Sequence, residues 1–196
     1  VLLKVEASPI NPSDLGLLLG PGDINTLKVE SSKITMDVPE AIMGAMKPRL
    51  NIPMPVGNEG SGVVIEAGAN AQEMIGKVVS AVGGGMYSQY RCLPSASCIV
   101  MNEGTEPRDC ASSFVNPLTA LGMVETMKME GHKALVHTAA ASNLGQMLVK
   151  ICVDDGVQLV NIVRKQEHVD LLKSIGAQFI CNSSDDDFME QLTSAI

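Results

Sequence analysis

One segment decides the fold of this chain: Ala134-Leu-Val-His-Thr-Ala-Ala-Ala-Ser-Asn-Leu-Gly-Gln146. Its apolar start is typical of a buried strand, its middle is a tight turn of small residues, and its end begins a helix. The next strand ends in two cations, Arg164 and Lys165. This order of strand, turn, helix and strand is the first half of a dinucleotide-binding fold, in which phosphates lie at the helix N-terminus.

The turn departs from the glycine pattern of such folds. Ala139 and Ser142 occupy the first two glycine positions of Gly-x-x-Gly-x-x-Gly, and Gly145 occupies the third. Small side chains such as Ala140 still let the backbone approach a pyrophosphate, and Gly145 permits close packing of helix on strand. An alternative stays open here, because any strand-to-helix turn in a parallel sheet favours small residues.

The two cations bear on the choice of cofactor. Dinucleotide-binding folds usually select NAD with an acid at the tip of the second strand, which binds the ribose hydroxyls. Here that tip has no acid, and Arg164 and Lys165 could pair with a 2′-phosphate. An exposed arginine at a strand end is the alternative interpretation. The sequence favours NADP(H) over NAD(H).

Composition narrows the class of protein. The 196 residues are enough for one large domain or two small ones, and 45% of them are hydrophobic, which is enough to bury a core. A net charge of −8 argues against a nucleic-acid partner. No apolar run approaches the roughly 20 residues that span a bilayer. The five cysteines form no Cys-x-x-Cys pair, so we expect small buried hydrophobes in a reduced, cytoplasmic protein.

The hydrophobic period changes along the chain. Up to about Pro107 the signals are short and strand-like, which favours a small barrel or sandwich. Residues 21–55 interrupt them as a long excursion with one short helix near 39–47. After Pro107 we expect a helix over 109–128, broken near Asn116, and then alternating strands and helices, which form a parallel sheet. Ser183 and Ser184 are expected to cap the last helix.

Other candidate sites are weak. His132, His137 and His168 are isolated and form no metal-ligand motif, and His137 is expected to be a satisfied core or turn residue. Ser142 has no nucleophile elbow around it. The acidic run 185–187 is expected to cap a helix and not to hold a metal. We therefore predict no metal site.

With these motifs in place, the chain resembles the zinc-independent, quinone-oxidoreductase-like branch of the medium-chain dehydrogenase/reductase superfamily. The landmarks occur in the family's order over nearly the whole chain apart from 21–55. They are Ala7-Ser-Pro-Ile-Asn-Pro-Ser-Asp14, Pro55-Val-Gly-Asn-Glu-Gly-Ser-Gly-Val-Val64, Asn116-Pro-Leu-Thr-Ala120, the 134–146 segment and Leu171-Leu-Lys-Ser-Ile-Gly-Ala177.

The resemblance implies a GroES-like β-barrel domain over 1–107 and the N-terminal part of a Rossmann domain, a doubly wound parallel sheet, over 108–196. Because the chain starts without Met and inside a strand-like run, we expect it to be a fragment of a longer polypeptide. Relatives often form homodimers, so we expect one here.

The resemblance also assigns site residues. Asn11, Asn58 and Asn116 would line the substrate and nicotinamide cleft, Thr119 would lie near the nicotinamide, Ser142, Asn143, Leu144 and Gly145 would surround the pyrophosphate, and Arg164 and Lys165 would bind the 2′-phosphate.

The chain lacks the zinc ligands of metal-dependent relatives. Asn11 stands in the segment where those relatives have Cys, and Asn58 replaces their His. The implied activity is hydride transfer from NADPH to a quinone or another conjugated carbonyl, with the cofactor supplying the difficult chemistry. Two alternatives stay open. One is an enoyl-thioester reductase, although residues 15–22 lack that group's tyrosine, and the other is a non-catalytic binding or structural protein.

Overall fold

The computed structural model describes all residues, 1–196, and the chain divides into two compact units. The N-terminal unit is Val1–Ser112 and the C-terminal unit is Ser113–Ile196. Both combine helices and strands, so the predicted mixed α/β class is confirmed. None of the helices combines the length and the apolar character that a membrane-spanning segment requires.

The N-terminal unit contains short elements separated by turns. Its strands are β1 (Leu2–Ala7), β2 (Lys28–Glu30), β3 (Lys33–Thr35), β4 (Glu59–Glu66), β5 (Val78–Val82), β6 (Tyr90–Cys92) and β7 (Cys98–Val100). Its α-helices are α1 (Pro12–Leu18), α2 (Glu40–Met46) and α3 (Pro107–Cys110). Segments of 3₁₀ helix lie at Ile24–Thr26, Lys47–Arg49, Ala69–Met74 and Ser95–Ser97.

Five of these strands form one antiparallel sheet in the order β6-β1-β4-β5-β7. Strand β1 has one face in the core, because Leu3 is fully buried while Lys4 and Glu6 are exposed. Leu3 packs with Val64, Val79 and other apolar side chains in the core of the unit. The sheet does not close, since β6 and β7 are its edges. The GroES-like identity of this unit therefore stays a prediction.

The excursion over 21–55 has a simple structure. The predicted helix near 39–47 is α2, and a two-stranded hairpin of β2 and β3 precedes it. Val29 and Ile34 face each other across the hairpin and are 71% and 60% exposed. The sequence analysis did not predict this hairpin or helix α1.

The C-terminal unit alternates helices and strands. Its helices are α4 (Val115–Met129), α5 (Asn143–Asp155), α6 (Gln166–Ser174) and α7 (Phe188–Ala195). Its strands are β8 (Ala134–His137), β9 (Gln158–Val163) and β10 (Phe179–Asn182), which pair in parallel in the order β10-β9-β8. The helix expected over 109–128 is divided into two helices, α3 and α4. The break between them ends just before Val115.

The central strand β9 explains the packing of this unit. Leu159 and Val163 point to one face, where they pack with buried residues of α4, α5 and α6. Val160 points to the other face and packs with Cys181 and Ala195, which is part of α7. A strand buried on both faces needs a nearly continuous apolar sequence, and this is the pattern of Gln158–Val163.

Two local predictions are wrong. Ser183 and Ser184 do not cap the last helix: their hydroxyls donate to the carbonyl oxygens of Val163 and Arg164, and α7 begins only after Asp187. The cysteines are all unpaired, as expected, but not all buried. Cys92 is exposed and Cys98 is half-buried, whereas burial raises the pKa of the Cys152 thiol to about 11.

Candidate functional site

The turn between β8 and α5 is held in an unusual backbone conformation. Ala139 has φ +54, in the left-handed region where a Cβ atom is unfavourable and glycine is preferred. Ser142 has φ −65 and ψ 165, which suits any residue, and its Oγ accepts the N–H of Gly145 at 3.1 Å. Only the first of the two substituted glycine positions therefore requires glycine-like geometry.

Gly145 lies tightly against the turn. A Cβ atom at this position would overlap the carbonyl group of Ala140. The absence of a side chain thus lets the first turn of α5 approach the end of β8. This contact also brings the helix N-terminus to the edge of the sheet where the parallel strands end.

Two main-chain donors at this helix end are free. The N–H groups of Asn143 and Leu144 have no acceptor within the chain, whereas the N–H groups of Gly145 and Gln146 donate to Ser142. The first N–H groups of a helix, together with its dipole, form a site for an anion. The free pair is therefore suited to bind a phosphate.

A cavity of about 580 Å³ opens at this edge of the sheet, and we call it the carboxyl-edge cavity. Its walls are the turn residues 138–142, the end of β9 at 162–164, His168 and Ser183. The side chains of the turn are small, so nothing bulky fills the space beside the helix N-terminus. The cavity lies outside the carboxyl ends of the strands, where ligands bind in open α/β sheets.

The two predicted cations differ in position. Arg164 lines the carboxyl-edge cavity and makes no ion pair within the chain. Lys165 is not part of the lining, and its Nζ lies 3.1 Å from Glu167 Oε1 on the exposed surface. The structure thus brings Arg164 to the predicted nucleotide site and pairs Lys165 with a carboxylate.

Two lining residues were missed by the sequence analysis. His168 and Ser183 both line the carboxyl-edge cavity, although each was interpreted without reference to a nucleotide. His168 lies in the first turns of α6, just after the two cations, and this proximity was the available signal. Ser183 follows β10, and the carboxyl ends of neighbouring parallel strands meet at the same edge.

His137 is not satisfied in the way that the sequence analysis expected. Its Nδ1 is buried and has no hydrogen-bond partner. Burial lowers the pKa of this imidazole, which favours the neutral form. His137 lies at the end of β8 and is not part of the cavity wall.

A second cavity of about 360 Å³ lies at the opposite edge, near the start of β9 and β10. Gly156, Ala177 and Phe179 are among its walls, and no charged side chain lines it. It therefore offers nothing to balance the charge of a phosphate.

The N-terminal unit gathers a separate group of polar residues, which we call the polar cluster: Asn11, Ser13, Asp14, Asn58 and Glu59. The fully buried Asp14 carboxylate accepts the main-chain N–H groups of Asn11 and Asn58, both at 2.9 Å. Asn11 Nδ2 donates to Glu59 Oε1 at 3.0 Å, and Asn58 Nδ2 donates to Ser13 Oγ at 2.8 Å. Two predicted cleft residues, Asn11 and Asn58, are thus brought together by one carboxylate.

The remaining predicted residues lie on α4 in the C-terminal unit. Asn116 is half-buried, and Thr119 is exposed with its Oγ1 donating to the Val115 carbonyl oxygen at 2.6 Å. Neither residue lines the carboxyl-edge cavity. No group of three or more His, Cys, Asp or Glu side chains is arranged to hold a metal ion.

Comparisons with known proteins place this geometry in context. No protein-family model matches the chain. It is 29% identical over 195 residues to an NADPH quinone oxidoreductase of Kluyveromyces marxianus, and the match covers 94% of this chain and 47% of that protein. It is 26% identical over 188 residues to a mitochondrial enoyl-[acyl-carrier-protein] reductase of Xenopus tropicalis, covering 92% of this chain and 47% of the relative. The chain spans about half the length of these curated relatives.

Solved structures of quinone reductases also resemble this chain. A Mesorhizobium loti protein assigned as an NADPH:quinone reductase superposes with a TM-score of 0.72 at 30% identity, covering 99% of this chain and 51% of that one. The Escherichia coli quinone oxidoreductase complexed with NADPH has a TM-score of 0.71 at 18% identity, over 98% and 53% of the two chains, and shows the shared fold. The resemblance to the zinc-independent, quinone-oxidoreductase-like branch of the medium-chain dehydrogenase/reductase superfamily is confirmed.

Proposed function

We propose that this chain belongs to an NADPH-dependent, zinc-independent oxidoreductase that transfers hydride to a quinone or another conjugated carbonyl. One observation carries the proposal. The carboxyl-edge cavity has two free N–H groups, those of Asn143 and Leu144, beside it and the unpaired guanidinium of Arg164 in its wall. Such a site suits a nucleotide that has both a pyrophosphate and a 2′-phosphate.

The residues present fit this cofactor. The N–H groups of Asn143 and Leu144 would hold the pyrophosphate, and Ala140, Ser142 and Gly145 leave room for it beside the main chain. Arg164 would bind the 2′-phosphate through its planar guanidinium, which suits phosphate oxygens. Lys165 would contribute only after leaving Glu167, an exchange that costs little because exposed ion pairs are weak. The bound nicotinamide supplies the hydride.

The other predicted site residues enter the proposal as ligand contacts. Asn11 and Thr119 would lie near the nicotinamide, and Asn116 would brace the cleft. Asn58, which the polar cluster holds, would face the substrate. The proposal also includes the domain assignment, GroES-like over 1–107 and Rossmann over 108–196. A cytoplasmic homodimer is part of it as well, supported by the resemblance and by the five unpaired cysteines.

An enoyl-thioester reductase is the second candidate function. It is supported by the named enoyl reductases among the relatives and by apolar side chains exposed along the excursion, where an acyl chain could lie. Val29, Ile34 and Ile52 are each more than half exposed. Turnover of a long-chain enoyl thioester in preference to a quinone would favour this candidate.

A thermal-shift titration of the full-length protein tests cofactor binding. A nucleotide present at about a hundred times its Kd should raise the free energy of unfolding by about 2.7 kcal/mol. We expect this shift with NADPH at lower concentration than with NADH. The absence of a shift with either nucleotide would contradict the proposal and favour a non-catalytic binding or structural protein.

Replacing the cavity cation tests the 2′-phosphate site. Arg164→Ala should weaken NADPH by about tenfold or more, because a charged hydrogen bond contributes at least about 1.4 kcal/mol, and should leave NADH nearly unchanged. The matched control is Lys173→Ala, which removes one positive charge from the last turn of α6, outside the cavity. Equal losses for the two nucleotides would exclude this role of Arg164.

A further inference from the structure

Tyr87 brings a phenol hydroxyl to the polar cluster from a distant part of the chain. Its hydroxyl donates to the Pro9 carbonyl oxygen at 3.0 Å, two residues before Asn11, and the charge of Asp14 acts on it. The ring is held against Gly57, where an added Cβ atom would come within 2.6 Å of a ring carbon. The main-chain N–H of Tyr87 donates to the Val56 carbonyl oxygen at 3.2 Å, which fixes the segment that carries the ring. Tyr87 is therefore a positioned member of this site.

The surroundings keep this hydroxyl protonated. Burial raises the pKa of the Tyr87 hydroxyl, and the negative charge of Asp14 raises it further. The residue is nevertheless 38% exposed, so water can reach it. A phenol that is protonated at neutral pH and in contact with water can donate a proton and then recover it from solvent.

The proposed reaction needs such a donor. When hydride adds to the carbon β to a conjugated carbonyl, the carbonyl oxygen becomes an enolate oxygen that requires stabilisation and a proton. Residues 15–22, which follow Asp14, contain no hydroxyl or acidic side chain. The other ionisable groups of the polar cluster, Asp14 and Glu59, are fully buried carboxylates.

We propose that Tyr87 is the proton donor to the substrate oxygen. The proposal rests on the proposed function. The hydride forms a bond to the β carbon, the π electrons move to the oxygen, and the Tyr87 O–H bond breaks as its proton passes to that oxygen. The phenolate left behind takes a proton from water. When the substrate binds, the Tyr87 hydroxyl exchanges its hydrogen bond to the Pro9 carbonyl oxygen for one to the substrate oxygen.

The chain offers a matched control, because it has only two tyrosines. Tyr90 lies on β6, three residues away, and is 54% exposed. The variants Tyr87→Phe and Tyr90→Phe remove the same atom from these two positions. Phenylalanine keeps the ring that packs against Gly57, so the fold is retained.

The experiment uses the full-length protein with NADPH and chalcone as the enone. Tyr87→Phe should lower kcat by about a hundredfold while the Kd of NADPH stays unchanged, and Tyr90→Phe should change neither. In the protein with tyrosine at position 87, kcat should fall in alkaline solution as the phenol ionises, and Tyr87→Phe should lack this decline. A second readout needs no turnover: in the Tyr90→Phe background, dihydrochalcone, the saturated product, should produce a tyrosine difference signal in the ultraviolet, and adding Tyr87→Phe should abolish that signal.

The outcomes separate the two proposals. If Tyr87→Phe binds NADPH and reduces chalcone within twofold of the unmodified protein, the donor role is wrong and the proposed function stands. An unperturbed Tyr87 spectrum with saturating dihydrochalcone would also overturn the role. If the unmodified protein binds no NADPH, the proposed function fails and the inference fails with it.

Discussion

The polar cluster and the carboxyl-edge cavity use their polar groups in opposite ways. In the polar cluster, Asp14 and Glu59 are fully buried and accept hydrogen bonds from neighbouring residues. At the carboxyl-edge cavity, the N–H groups of Asn143 and Leu144 have no internal acceptor, and Arg164 has no carboxylate partner. The polar groups of the cluster form hydrogen bonds with one another, whereas those of the cavity leave donors available for a ligand.

This difference separates stability from binding. Removing an acceptor from the polar cluster leaves buried N–H donors without a partner, which lowers the free energy of unfolding. Removing a donor from the cavity costs the chain little, because that donor has no partner to lose. The free donors are already in place, so binding an anion there needs no rearrangement of the main chain.

The largest expected effect is at Asp14. Asp14→Ala leaves the N–H groups of Asn11 and Asn58 without their acceptor, so the free energy of unfolding should fall by about 4 kcal/mol, at about 1–3 kcal/mol for each orphaned buried donor. Chemical denaturation measures this loss. The control Asp109→Ala, at a 65% exposed side chain, should change stability by less than about 0.5 kcal/mol. Equal effects of the two substitutions would show that the cluster does not stabilise the unit.

A smaller loss of stability, with a loss of binding, is expected at Gly145. Gly145→Ala places a methyl group onto the Ala140 carbonyl, so the helix must shift, at a cost of about 2 kcal/mol. NADPH affinity should fall as well, because the shift moves the N–H groups of Asn143 and Leu144. Gly122→Ala is the control, since nothing lies within 4 Å of the added atom there. Unchanged NADPH affinity in Gly145→Ala would separate the cavity from the nucleotide.

The smallest effect is expected at Ala139, and its sign is opposite. Ala139→Gly relieves the left-handed strain of about 1–2 kcal/mol but increases the freedom of the unfolded chain, so stability should rise by about 0.5 kcal/mol. Ala141→Gly, at a position without positive φ, should instead lower stability by about 0.5–1 kcal/mol. Thermal unfolding of both variants checks the contrast. A loss of stability in Ala139→Gly would contradict it.

Local periodicity predicted the C-terminal unit well. The apolar run of β9 and the face of α5 that carries Leu148 and Cys152 are determined by residues close in sequence. The glycine after α6, Gly176, has a left-handed φ of +96, which glycine adopts readily at a helix end. Ser183 and Ser184 were misplaced, because a short polar run can bond to a neighbouring strand as easily as it can cap a helix.

The site was harder to predict because long-range contacts build it. Tyr87 and Pro9 are 78 residues apart in the chain, and no local pattern indicates that the Tyr87 hydroxyl donates to the Pro9 carbonyl oxygen. Likewise, charge alone did not distinguish Arg164 from Lys165. The structure separates them, because Arg164 lines the carboxyl-edge cavity and the Nζ of Lys165 lies 3.1 Å from the Glu167 carboxylate. Open sheet edges at β6 and β7 also could not be foreseen, since strand spacing does not specify whether a sheet closes.

The surface pairing of Lys165 with Glu167 has an evolutionary consequence. If a single guanidinium sets the preference between phosphorylated and unphosphorylated dinucleotides, then one codon change at Arg164 is enough to relax it. A lineage carrying this sequence could therefore move between the biosynthetic and the catabolic pool of reducing equivalents without rebuilding its scaffold.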